Sequence, residues 1–173
     1  MADYKAIKGF RIQTFSSDPS NLVKGQVWYN STLGKIKGAA GGSWASAPAL
    51  NNATYQGGGM GTQTAALSTG GKASPTSYNA KTEEYNGSSW TEVEDLPTAI
   101  SYFVSMGTQT AGLIAAGAPV RRNQSYEYDG TNWSSGGNLN TGRKQGGGWG
   151  IQTAALHTGG EKPTVCAHTE TYD

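Results

Sequence analysis

Apolar and polar side chains alternate with a period of two along three stretches of this chain, Thr62 to Gly71, Thr108 to Gly117 and Ile151 to Gly160. In the first, Gln63, Ala65 and Leu67 fall on one face and Thr64, Ala66 and Ser68 on the other. Gln109, Ala111 and Leu113 repeat the first face, as do Gln152, Ala154 and Leu156. Period-two alternation predicts strand rather than helix. Neither face carries charge and most side chains are small, which suits a strand sandwiched between neighbouring sheets. The stretches begin within a recurring segment, Gly61-Thr62-Gln63-Thr64-Ala65-Ala66-Leu67, which returns 46 and then 43 residues later. Recurrence at this length marks a supersecondary unit that buries its core only against its neighbours.

A second element recurs in phase. Glu84-Tyr85-Asn86-Gly87-Ser88-Ser89-Trp90 matches Glu127-Tyr128-Asp129-Gly130-Thr131-Asn132-Trp133. Asn-Gly and Asp-Gly tolerate the positive φ of a tight hairpin turn, so Tyr and Trp lie on the two arms and can pack together. A linker follows each hairpin, Leu96-Pro97-Thr98-Ala99 and Leu139-Asn140-Thr141-Gly142, with an earlier, weaker copy at Leu50 after Trp44. Trp149 stands in phase with Met60 and Met106 and is expected to take their packing role. No apolar stripe of period 3.6 has useful length, and Gly and β-branched residues crowd every window.

Residues 1–40 do not repeat. Ala6 to Phe15 reads as a strand, Ser16 to Asn21 as a turn, and Gly25 to Gly38 as strand, turn, strand. The expected organisation is an N-terminal anchoring or capping β segment, 1–40, followed by repeats over 41–173. The repeats divide into a lead-in 41–59, units 60–105 and 106–148, and a partial unit 149–173. The last unit breaks off inside a hairpin, at Tyr172-Asp173. Either the sequence is a piece of a longer repeat protein, which is the preferred expectation, or several copies complete each other as a homo-oligomer.

Composition supports a folded, turn-rich all-β chain. Gly is 26 of 173 residues, about twice the usual share of about 7%. Low charge could signal disorder, but five Trp and nine Tyr recur in register, and disordered chains are aromatic-poor. A net charge of +1 gives no footprint for nucleic acid or a membrane surface. Arg121-Arg122 and Arg143-Lys144 are the densest basic spots and are expected to be solvated loop charges. One Cys, Cys166, excludes an intrachain disulfide. The first residues lack the apolar core of a signal peptide, and no apolar run approaches the about 18 residues of a membrane span.

The order of these elements resembles the kelch motif: a strand ending Gly-Gly, a variable loop, Tyr, a turn, Trp and a Leu-Pro-Thr-Ala linker. Gly70-Gly71, Tyr85, Trp90, Gly117, Tyr128, Trp133 and Gly159-Gly160 carry the resemblance as repeat framework. Ala116 departs from the Gly pair, and the Arg expected after the linker occurs only as Arg143, with Thr54 and Ile100 in the other copies. The resemblance implies all-β blades forming a partial or open β-propeller. Propellers take about four to eight blades, more than are counted here.

In the head, Gly25-Gln26-Val27-Trp28-Tyr29-Asn30-Ser31-Thr32 resembles a short hairpin of tail-fibre and other virion structural proteins of tailed phages. That resemblance implies a virion structural protein assembled in the host cytoplasm, without enzymatic activity. Val27, Trp28 and Tyr29 are the candidate anchoring residues toward capsid, neck or tail proteins. The loops after the Gly pairs, 72–81, 118–125 and 161–168, vary most. There Tyr78, Arg121, Arg122 and Asn123 are candidate contacts for a host-surface glycan or protein. A free carbohydrate- or protein-binding kelch module is the alternative.

Other chemistry is expected to be absent. Cys166, His168 and His157 do not supply the four ligands of a structural zinc site, and Cys166 and His168 read as loop residues. A galactose-oxidase-like enzyme is the third and least favoured reading: its copper site needs Tyr and His ligands and a Tyr–Cys crosslink, and one Cys and two His do not place those positions here. Glu83-Glu84 and the Glu92-Glu94-Asp95 cluster read as solvated hairpin edges rather than an acid–base pair. No cofactor and no metal are expected.

Overall fold

The computed structural model describes residues 12–39 and 44–173. The described chain is all-β, with no helix among those residues. Two compact units divide after Ser46.

The N-terminal unit holds β1 (Gln13–Phe15), β2 (Val27–Asn30) and β3 (Lys35–Gly38). β1 runs parallel to β2, and β2 pairs antiparallel with β3. The expected hairpin over 25–38 is present. Of the strand expected from Ala6 to Phe15, Gln13–Phe15 is observed and 6–11 lies outside the described residues. The turn after β1 supplies Asp18, whose carboxylate accepts hydrogen bonds from Trp28 Nε1 (3.1 Å), Asn30 Nδ2 (2.9 Å) and Lys37 Nζ (2.6 Å). Lys37 and then Asn30 hold the Asp18 carboxyl below the usual carboxylate range. One aspartate thus ties one face of the sheet to the loop that crosses it.

The second unit contains three larger antiparallel sheets. The first is β4 (Gly58–Thr62), β5 (Ala65–Thr69), β8 (Thr82–Tyr85) and β9 (Trp90–Glu92), with the small hairpin β6 (Lys72–Ser74) and β7 (Ser77–Tyr78) inserted between β5 and β8. The second is β10 (Val104–Gly107), β11 (Gly112–Ala115), β12 (Ser125–Tyr128) and β13 (Trp133–Ser135). The third is β14 (Gly147–Ile151), β15 (Ala154–Thr158) and β16 (Thr169–Tyr172). Within each sheet every strand pairs with its neighbour in sequence order, and no sheet closes into a barrel.

The recurring segment is not one long strand. It is the tip of a hairpin: Thr62 pairs with Ala65 and Ile151 with Ala154, so Gln63-Thr64 and Gln152-Thr153 are two-residue loops. The Gly ahead of each tip forces the reversal. Gly61, Gly107 and Gly150 have φ of 102°, 98° and 112°, and a Cβ at any of them would run into the carbonyl of Ala65, Ala111 or Ala154. Alternation in the sequence continued through the loop and concealed the turn.

The expected Tyr–Trp packing across each aromatic hairpin is observed. Tyr85 and Trp90 lie with ring centroids 4.9 Å apart, as do Tyr128 and Trp133. Asn86 Oδ1 and Asp129 Oδ1 accept backbone N–H groups of the turn, which explains the Asn/Asp at that place.

The core lies between sheets rather than inside one. β10 packs against both β4 and β14. Met60, Leu67, Ile114, Tyr126, Tyr128 and Trp133 form a cluster between the first and second sheets. Val104, Met106, Leu113, Ala115 and Ala155 form another between the second and third. β11 is buried at every position because Ile114 faces one cluster while Leu113 and Ala115 face the other. The expected sandwiched strand is therefore realised in the middle sheet. Trp149 departs from its expected role: Met60 and Met106 are 9% and 5% exposed, Trp149 57%. The two methionines face a following sheet; the indole has none beside it among the described residues.

The glutamines at the second and third tips link sheets. Gln109 Nε2 donates to the carbonyls of Ala66 (3.2 Å) and Tyr85 (2.9 Å) in the preceding sheet. Gln152 Nε2 repeats this on Gly112 (3.1 Å) and Tyr128 (2.9 Å). Gln109→Ala should lower the unfolding free energy by about 1–3 kcal/mol, because two carbonyls lose a donor across a packed seam. Thr131→Ala, at an exposed turn, should change it by less than about 0.5 kcal/mol. Urea denaturation of the two variants measures both.

Candidate functional site

The variable loops after the Gly pairs connect the second and third strands of each sheet. The first contains Tyr78 on β7 and Lys72 on β6. Lys72 Nζ lies 4.8 Å from the Tyr78 ring centroid and 5.3 Å from that of Tyr102. Lys144 Nζ approaches the other side of this series, 6.0 Å from the Tyr102 centroid. Lys144 also pairs with Glu161 Oε2 at 3.2 Å, and Arg121 Nη2 with Glu161 Oε1 at 2.8 Å. Lys144 and then Arg121 hold the Glu161 carboxyl below the usual range. Tyr78, Lys72, Tyr102, Lys144, Glu161 and Arg121 form one run of alternating aromatic and charged groups across loops of all three sheets. The face offers π-surfaces with flanking cations, which suits a ring-bearing or anionic ligand.

Backbone geometry positions the centre of that run. Gln56, Tyr102 and Gln145 recur at the same 46- and 43-residue spacings and all have positive φ, at 59°, 57° and 62°. Tyr102 N donates to Gln56 O (3.1 Å) and Gln145 N to Tyr102 O (2.6 Å), linking the entries of the three sheets. Left-handed non-Gly residues are uncommon, and three in phase mark a constrained position. Positive φ at Gln, Tyr and Gln has no sequence signature. Tyr102, Lys72 and Glu161 therefore carry no site signal in the sequence, and Lys144 stands out there only as part of a basic pair; the repeat phase of Tyr102 is the one available clue.

The four sequence candidates divide. Tyr78 and Arg121 belong to the run. Tyr78 also lines an open groove of about 450 Å³ with Asn51, Asn52, Ala73, Asn79 and Lys81. Arg122 and Asn123 serve the backbone instead. Arg122 N donates to Gly117 O and its carbonyl accepts from Arg143 N, while Asn123 Nδ2 and carbonyl bracket Leu139. Arg121 is the exposed loop charge expected of it, paired at the surface with Glu161.

The other polar expectations change more. Arg143 is 0% exposed. Its guanidinium donates to the carbonyls of Thr141, Gly159 and His168 and pairs with Glu170. It is a buried structural cation, not a loop charge. Glu83 is likewise buried, accepting from the N–H and Nδ2 of both Asn51 and Asn52 at 2.8–3.2 Å. Glu84 accepts from Tyr128 OH at 3.0 Å, and burial first, then Glu84, pushes that phenol far up. Neither carboxylate is a solvated edge. Glu92 and Asp95 share Lys81. His157 lies on β15, within the expected strand, 5% exposed, with Nε2 3.1 Å from Gln145 O. Cys166 is half-buried with Sγ on Gly159 O, and no group of three or more His, Cys, Asp or Glu capable of holding a metal occurs among the described residues.

In the head unit, Trp28 is 3% exposed and is consumed by Asp18, whereas Val27 and Tyr29 are 49% and 38% exposed. The pleat puts Val27, Tyr29 and Ile36 on the face opposite Trp28, with Tyr29 paired to Ile36.

Two outcomes follow. Burial holds the His157 pKa below 6.5, so the unfolded state takes up its proton first as the pH falls. The stability this contributes is complete above pH 6.5 and is lost as the pH drops from there toward the folded value. Thermal unfolding across that range should show the loss, and His157→Gln should flatten it. Arg143→Ala, which strands the Glu170 carboxylate, should cost about 3–5 kcal/mol by denaturant titration.

No family model matches the chain, and no curated protein matches it. Among solved structures, that of YjhT is similar, with a TM-score of 0.60 at 13% identity over 83% of this chain and 47% of that one. This chain therefore spans about half the length of that protein, and the likeness extends to the all-β fold alone.

Proposed function

We propose that this protein is a structural appendage or adaptor protein of a tailed-phage virion, its head docking to the particle and its repeats projecting as kelch-like propeller blades. The observation that carries the reading is the division of labour between the two units. The head sheet spends Trp28 on its own stability and leaves Val27, Tyr29 and Ile36 as an exposed apolar face. Such a face on a small sheet suits a protein–protein contact. Capsid, neck or tail proteins are the partners this assigns.

The repeat unit supports the projecting role. Its buried polar groups, Glu83, Arg143 and the tip glutamines, are engaged in joining segments to one another. Rigid scaffolds of this kind present variable loops. The face carrying Tyr78, Tyr102, Lys72, Lys144 and Arg121 would meet a host-surface glycan or protein by aromatic stacking and charged hydrogen bonds. The same face supports the second reading, a free carbohydrate- or protein-binding module. The head's apolar face is what favours the virion reading over it.

Mass spectrometry of purified particles should find the protein at structural abundance. Particles grown with Val27→Asp and Tyr29→Asp should lose it while the repeat unit still folds. Wild-type particles without the protein would contradict the proposal; glycan binding that is abolished by Tyr78→Ala in particle-free protein would then favour the binding module.

A further inference from the structure

We infer that the groove beside Tyr78 is a subsite for one uncharged sugar ring, whose hydroxyl groups bond to Oδ1 of Asn51 and of Asn52 and to Nδ2 of Asn79. The inference deepens the reading of the variable loops as a binding face and rests on it.

The groove is lined by the linker ahead of β4 and by the β6–β7 hairpin with the residues after it, all in the second unit. Its volume of about 450 Å³ falls in the range of about 300–1,000 Å³ that holds a small ligand. Three amides line it, and each is locked in one orientation by its partners. Carboxylate and carbonyl oxygens only accept, so the nitrogen end of an amide must face them. Asn51 Nδ2 donates to Glu83 Oε2 (3.0 Å) and to the Trp90 carbonyl (3.0 Å). Asn52 Nδ2 donates to Glu83 Oε1 (3.2 Å) and Glu92 Oε1 (2.7 Å). Both hydrogens of each amide nitrogen are used, and neither Oδ1 has a donor among the described residues. Asn79 is locked the other way. Its Oδ1 accepts from the Lys81 N–H at 2.7 Å, and its Nδ2 has no acceptor among the described residues. The lining thus offers two unused acceptors and one unused donor.

Charge narrows the ligand. Lys81 Nζ lies 3.1 Å from Asp95 Oδ2 and 3.4 Å from Glu92 Oε2, so the cation in the lining is already paired. An anion would meet the oxygens of Asn51 and Asn52. A cation would meet the N–H groups of Asn79 and the charge of Lys81. A hydroxyl group donates and accepts, so neighbouring hydroxyls of one sugar satisfy both kinds of amide end. The locked amides lose no rotamer freedom when they bind, which spares the ordering cost of a contact made by loose side chains. Their bonds to carboxylates also polarise the Asn51 and Asn52 amides and strengthen the oxygens as acceptors.

Tyr78 supplies the apolar surface. The phenol is half-buried and lines the groove, while Lys72, outside the lining, sits 4.8 Å from its ring centroid. The C–H bonds on one face of a pyranose carry slight positive charge and pack on the negative face of an aromatic ring.

The groove also adjoins the aromatic and charged run, because Lys72 Nζ lies 5.3 Å from the Tyr102 centroid as well. A sugar held in the groove therefore anchors a chain whose further units lie across that run. The division of labour is chemical: the groove selects by hydroxyl geometry and carries no unpaired charge, and the run beside it supplies the cations.

Nuclear magnetic resonance titration of the 173-residue chain tests this with the methyl glycosides of glucose, galactose, mannose and N-acetylglucosamine. At least one should bind and shift the side-chain N–H signals of Asn79. Glucuronate and methylammonium should bind at least about tenfold more weakly than that glycoside, since each loses hydrogen bonds the sugar makes. Asn79→Asp keeps an acceptor for the Lys81 N–H and removes the donor, so it should weaken binding about five- to tenfold. Thr131→Ala, on another sheet, should leave binding unchanged. Monodeoxy forms of the bound glycoside remove the same bonds without altering the protein, and at least one should weaken binding by a similar factor. Three results overturn the subsite: no binding of any of the glycosides, tighter binding of glucuronate or methylammonium, or an affinity that survives Asn79→Asp and every deoxy form. Glucuronate binding lost in Lys72→Ala would overturn the subsite and keep the loops as a binding face. Sugar binding by a protein absent from particles would remove the virion proposal alone.

Discussion

The fold depends on one repeated hydrogen-bonding device, a glutamine at a hairpin tip that donates to two main-chain carbonyls of the preceding sheet. Each sheet is too small and too polar to bury its own core. Leu113 and Ile114 are buried only because sheets stand on both sides of β11. Packing alone would let the small residues of these seams, Gly112, Gly148 and Ala155, slide past one another. The paired bonds from one side chain set the register. Directional bonds in a seam shielded from water fix geometry more firmly than their modest net free energy suggests.

Buried charge follows the same logic. Asn51 and Asn52 bring the first linker onto Glu83, and Asn140 brings the third linker onto Glu170, which also takes Arg143. In the second sheet the place of these carboxylates is taken by Tyr126, and the linker supplies Thr98 to its hydroxyl. Linker and third strand thus change together: amide with carboxylate, hydroxyl with phenol. Each pairing fastens a loop to the sheet it leads into and leaves few polar groups uncompensated.

Much of this was legible in the residues. The repeat phase, the Tyr–Trp hairpins and their Asn-Gly and Asp-Gly turns follow from spacing and from the few residues that tolerate positive φ. The head hairpin was legible through its alternation around Asn30 to Gly34. The segments read as single strands were not, because Thr62 to Leu67 keeps an alternating pattern straight through a two-residue loop, and only Gly61 betrays the turn. Charge was the least legible property. Glu83 and Arg143 look like surface residues until partners distant in sequence are brought to them. The aromatic and charged run around Tyr102 was hidden for the same reason: Lys72, Lys144 and Glu161 come from three separate loops and meet only through the seams.

The central claim is that the glutamine clamp couples otherwise separable sheets. Native-state hydrogen exchange on Gln152→Ala tests it most directly. The account predicts that amides of β14, β15 and β16 lose protection while those of β4, β5 and β8 keep theirs, because the third sheet is released from the second. An unchanged exchange pattern in all three sheets would contradict it.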